Sequence, residues 1–126
     1  MRTYSVDEHD IRMVICLARV RHVEGEIWFV DESESFIEEL KNKSGISEIR
    51  HVSVSRFNEP KQRPEDRHSG EAGLKFAISD VVITGDAASA WVSFYASPTG
   101  ANWGTCVLRK KNGQWLIEGW KSGGES

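Results

Sequence analysis

The dipeptide Asn112-Gly113 is the strongest local constraint on this chain. Both central residues of a type I′ turn need positive φ, and Asn-Gly meets that need between two alternating runs. It therefore predicts an antiparallel hairpin of Trp103–Lys111 with Gln114–Lys121. A two-residue turn also fixes register, and register fixes faces. Lys110 then opposes Trp115, Leu108 opposes Ile117 and Cys106 opposes Gly119 on one face. Val107 opposes Glu118 and Thr105 opposes Trp120 on the other, beside Arg109 and Leu116. A second hairpin precedes it: Leu74–Thr84, the turn Gly85-Asp86, then Ala87–Ala96. Its straight register groups Ile83, Val81, Ala77, Ala88, Ala90, Val92 and Phe94 on one face. Val82, Asp80, Ile78, Phe76, Trp91, Ser93 and Tyr95 fall on the other. The loop Ser97–Asn102 links the two into a long final β-meander, and Gly123–Ser126 is expected to fray.

The N-terminal half is predicted to be partly helical. Ser5-Val-Asp-Glu8 reads as a capping box, and Ile11, Val14, Ile15, Leu17 and Ala18 form one stripe, so a helix is expected over about 6–22, ended by Gly25. Ser35-Phe-Ile-Glu38 reads as a second box opening a helix that Gly45 closes. Ile27–Val30 is a short apolar run without a secure class. Alternation about Val52 and Val54 predicts a strand over 49–57. From 58 to 73 the chain carries Pro60, Pro64, Gly70 and Gly73 with charges of both signs, which reads as a long solvated loop, a lid or a partner-contact arm. The sequence has 126 residues, of which 39% are hydrophobic, enough for one domain over 1–126 with one core.

One predicted face of the meander is small and aliphatic and suits packing under the first helix. The other carries Trp91, Tyr95 and Trp120, with Trp103, Phe76, Val107 and Leu116 beside them. An antiparallel sheet ordinarily leaves one face polar, so an aromatic face needs a cover. A second subunit would supply it, and so would residues 27–57 of the same chain; the aromatic composition favours a subunit interface.

Val-Val-Ile-Thr-Gly-Asp-Ala-Ala at 81–88 and Val-Leu-Arg-Lys-Lys-Asn-Gly-Gln-Trp-Leu-Ile at 107–117 resemble the nuclear transport factor 2-like superfamily, with its ketosteroid isomerase-like and polyketide cyclase-like members. The likeness covers about 74–121. It implies an α+β fold, in which a long N-terminal helix packs on a curved antiparallel sheet (a cystatin-like cone) with a cavity at the open end. It also implies frequent dimerisation through the sheet.

Little in the sequence announces chemistry. Enzymes on such a scaffold place a carboxylate, His or Tyr in an apolar cavity, where desolvation tunes the pKa. The face expected to line the cavity holds Val92, Phe94, Cys106, Leu108, Trp115 and Ile117, so no catalytic residue is assigned. Asp80 and Tyr95 turn inward only if a bulge reverses the strand near Ser79-Asp80. His9, His22, His51 and His68 share no metal-ligand spacing, so neither a metal nor a cofactor is expected. Arg56, Arg63 and Arg67 are offset by Glu59, Glu65 and Asp66. A net charge of −3 argues against nucleic acid as the main partner. No apolar run is long enough to span a membrane and no signal peptide is evident. Cys16 and Cys106, inside apolar runs, read as free thiols in a reducing cytoplasm. The expectation is a non-catalytic binding module, dimeric, holding a small apolar ligand or a protein partner. The alternative is a small-molecule isomerase, cyclase or dehydratase using general acid–base chemistry.

Overall fold

The structure, a computed structural model, describes residues 4–20 and 26–125. His22, Gly25 and the end of the helix expected over 6–22 lie outside the described residues. Helix α1 spans Val6–Arg19, and the Ser5 hydroxyl accepts from the Glu8 N–H as its N-cap. Helix α2 spans Glu34–Ser44. Its cap is Ser33, two residues before the Ser35 box, accepting from the Phe36 N–H at 3.2 Å. This earlier start turns Phe36, Ile37 and Leu40 to the interior, while Glu38 stays on the surface with Lys41 at 3.4 Å. Gly45, at φ 73, ends the helix in the left-handed region as expected.

The fold is α+β: two helices on a mixed, largely antiparallel curved sheet. The apolar run Ile27–Val30 is strand β1, buried along its whole length. A strand buried on both faces reads as a continuous apolar run, which is why its alternation was missing. It pairs in parallel with β2 (Ile49–His51) and with β5 (Gly73–Thr84). Then come β6 (Ala87–Tyr95), β7 (Ala101–Lys111) and β8 (Gln114–Glu125), giving the order β2-β1-β5-β6-β7-β8. β8 continues through Gly123 instead of fraying, because the Trp91 and Trp103 indoles lie against its backbone there.

The strand expected over 49–57 breaks at a 3-10 turn, Val52–Val54. Beyond it, β3 (Ser55–Asn58) pairs with β4 (Arg63–Asp66) in a separate two-stranded sheet. Much of the expected loop 58–73 is therefore an ordered hairpin, held by buried charge. Glu65 is 3% exposed and accepts from Asn58 at 2.7 Å and Arg56 at 2.9 Å. Asp66 is 4% exposed and meets Arg50 of β2 at 2.6 Å. The Ser69 and His68 N–H groups, then Arg50, hold the Asp66 carboxyl at about 2. A depressed folded pKa gives stability that is present above the unfolded value and lost as pH falls through the folded one. Acid titration should therefore loosen the hairpin between pH 4 and 2, and Asp66→Asn should flatten that part of the stability–pH curve; a curve of unchanged shape would refute the assignment.

Both predicted registers hold beside their turns and fail further out. In β5 a bulge lies between Ser79 and Val82, with Asp80 at φ 51. Beyond it Phe76 opposes Phe94 and Ile78 opposes Val92, so Phe76 and Ile78 stand on the inner face and Ala77 on the outer. The bulge turns these two inward, leaving Asp80 exposed. In β7–β8 Leu108 opposes Ile117 as expected, but a shift follows, and Cys106 opposes Trp120 rather than Gly119. That shift carries Trp120 to the helix-covered face.

The core lies between α1 and the inner face. Ile11, Ile15 and Cys16 pack with Ala90, Val92, Cys106, Leu108 and Trp115, and α2 adds Phe36, Ile37 and Leu40. The Trp115 indole N–H donates to Asp7 at 3.0 Å, tying β8 to the first turn of α1. Among the described residues no helix is long and apolar enough to cross a membrane.

Candidate functional site

Small side chains at the far end of the inner face create the open space. Register places Ala90 opposite Cys106, Val92 opposite Gly104 and Phe94 opposite Asn102, while Ser122 faces Gly104 and Trp120 faces Cys106. Gly104 adds no side chain here because β8 crowds it: a Cβ would meet the Lys121 carbonyl oxygen. α1 ends at Arg19 above this gap.

Two cavities open on either side of Arg19. One, of about 210 Å³, is lined by Arg19, Trp28, Phe76, Phe94 and Asn102. The other, also about 210 Å³, is lined by Arg19, Val92, Asn102, Trp103, Gly104, Trp120, Lys121 and Ser122. Trp28 meets Phe76 edge-on and Phe94 at a tilt, with ring centroids 6.0 Å apart in both pairs. The Arg19 guanidinium stacks on Trp120 at 4.4 Å from the ring centroid, a cation–π contact that fixes the cation at the mouth. The described lining of both cavities contains no Asp, Glu or His.

Of the residues expected to line a pocket, Val92 and Phe94 reach these cavities. Cys106, Leu108 and Trp115 are buried beneath α1 in the core, and Ile117 packs against that core. Burial pushes the Cys106 thiol up to about 11 and raises the Cys16 thiol further. Neither thiol is a thiolate nucleophile near neutral pH. Trp28, Asn102, Gly104 and Arg19 were not singled out by sequence reasoning, and Phe76 was placed on the outer face, from which the β5 bulge removes it. A glycine inside an otherwise regular strand was the one available signal for the gap.

No family model, curated protein or solved structure matches this chain. Among the described residues no group of three or more His, Cys, Asp or Glu is arranged to hold a metal ion. The buried carboxylates Glu65 and Asp66 lie instead in the β3–β4 hairpin, where they already meet arginine or backbone N–H groups.

The outer face is a second candidate surface. Trp91 and Trp103 are each 37% exposed, Leu116 is 48% and Val82 is 57%. The two indoles rest on Gly123 and Gly124, where a Cβ would come within 2.9 Å and 2.6 Å of a ring atom. Tyr95 is covered from within the chain: its hydroxyl donates to the Gln62 carbonyl at 3.0 Å and its ring meets Phe57 at 6.0 Å. A larger cavity of about 360 Å³, lined by Asp31, Val52, Lys75, Ser93, Tyr95 and Trp103 among others, shares Phe76, Phe94 and Asn102 with the Arg19 cavities. Val107 is half-buried on the same outer face, and Trp120 is absent from it because of the β8 shift.

Proposed function

We propose that this protein is a non-catalytic binding module of the nuclear transport factor 2-like type that holds a small, largely apolar ligand at the open end of its curved sheet. The observation that carries the reading is the pair of cavities flanking Arg19: aromatic walls, a few convergent polar groups and no Asp, Glu or His among their described lining residues. Ligand sites are commonly apolar pockets with a small number of placed polar groups. General acid–base catalysis needs a titratable group within hydrogen-bond reach of the reacting atoms. The lining described here favours holding over turnover. The order of an N-terminal helix, a strand–helix–strand unit and a four-stranded meander accords with the resemblance seen at 81–88 and 107–117. Native mass spectrometry of freshly purified protein, repeated after denaturation, tests the reading. Extra mass that leaves on denaturation supports it; product formation from a panel of isomerase or dehydratase substrates would replace it with the enzymatic alternative.

The same proposal includes a homodimer through the outer face. Trp91, Trp103, Leu116 and Val82 are exposed on one sheet surface, and aromatic residues are enriched in interface cores. A two-fold pairing would set each patch against its copy. The double change Trp91→Ser and Trp103→Ser should convert dimer to monomer in light scattering behind size exclusion, while Trp120→Ser, on the other face, should not. A wild-type monomer would refute the dimer.

A further inference from the structure

Resting on that binding reading, we infer that the ligand is a small aromatic carboxylate, with its ring among Trp28, Phe76 and Phe94 and its acid group on Arg19 and Asn102. Three observations converge. First, Arg19 and Asn102 are shared by both mouth cavities, so one bound group at the boundary reaches both. Second, Arg19 has no carboxylate within ion-pair distance among the described residues, unlike Arg12, Arg50, Arg56 and Arg109, each of which has one. Its described contact is the Trp120 ring, whose centroid lies 4.4 Å from the guanidinium carbon, and its N–H edge has no oxygen acceptor among the described residues. That edge matches a carboxylate in bidentate geometry. Third, the Trp28 ring stands edge-on to Phe76 and tilted to Phe94, with centroids 6.0 Å apart in each pair, a wall suited to a planar apolar body. Lys121 in the lining adds positive charge, and the described lining of these two cavities has no acid to oppose it.

The test is calorimetric titration of the full chain with 2-naphthoate and with its neutral analogue 2-naphthamide. The carboxylate should bind at least about tenfold tighter, the scale of a charge-assisted bidentate contact. Arg19→Gln should abolish that difference while leaving naphthamide within about twofold of wild type, and Arg19→Lys should keep part of it. Thermal melts of each variant confirm folding, which Arg19 at an exposed helix end should not disturb. Equal binding of both probes by the wild type overturns the anion assignment and leaves the apolar cavity standing. A carboxylate preference that survives Arg19→Gln overturns it too, and Lys121→Gln then asks whether that lysine is the cation. Binding of neither probe overturns the inference together with the reading beneath it.

Discussion

Replacing Arg12 by Met should lower stability by about 3–5 kcal/mol, the range for breaking a buried ion pair by removing one partner. Arg12 is 4% exposed although it carries a permanent charge. It donates to Glu32 at 2.8 Å, to Glu8 at 2.9 Å and to the Ile78 carbonyl at 3.1 Å, and its guanidinium lies 4.1 Å from the Tyr4 ring centroid. Burial alone would lower its pKa; Glu32, then Glu8, reverse that and hold it raised. Glu32 has a side chain only 1% exposed, so the change removes a guanidinium from a carboxylate that water does not reach. The melting temperature should fall by roughly 10–20 °C for a chain of this length. The double change Arg12→Met and Glu32→Leu should recover much of the loss, because the desolvated charge leaves with its partner. A fall under about 1 kcal/mol in the single variant would place this pair among ordinary surface contacts.

Four strands of the meander and both helices were legible because each carries a local signal: Asn112-Gly113, Gly85-Asp86, the Ser5 cap, the Gly45 stop. The site was much less so. It exists because Gly104 and Ser122 face each other across β7–β8 and because Arg19 ends α1 above them, and both facts depend on register. Register was lost at three shifts, one in β5–β6 and two in β7–β8. Asp80 and the Ile117–Gly119 stretch carry no marker that separates a bulge from regular alternation. The hairpin at 55–66 was hidden for another reason. Arg63-Pro-Glu-Asp66 is charged and contains proline, the composition of a loop, yet Pro64 is fully buried and both carboxylates are paired. Burial there is bought by long-range partners such as Arg50, which no short sequence window contains.

Phe76→Ala should cost about 3–5 kcal/mol, the range for emptying a buried aromatic site, and the result decides between two registers of β5. Counting straight back from Gly85-Asp86 puts Phe76 beside Trp91 and Tyr95 on the outer face, where truncation would cost under about 0.5 kcal/mol. The bulge puts it opposite Phe94, 2% exposed and 6.0 Å from Trp28. Val82, just past the bulge, is 57% exposed and gives the matched control: Val82→Ser should change stability by less than about 0.5 kcal/mol. The bulge itself can be probed at Asp80, which sits at φ 51. Asp tolerates that region, whereas a β-branched residue does not, so Asp80→Val should cost about 1–2 kcal/mol although the site is exposed. Chemical denaturation of the three variants reads all of this at once. Large, small and intermediate losses in that order require the bulged strand, and with it Phe76 in the wall of the Arg19 cavity. A small loss at Phe76 would return that ring to the outer face and remove one side of the site.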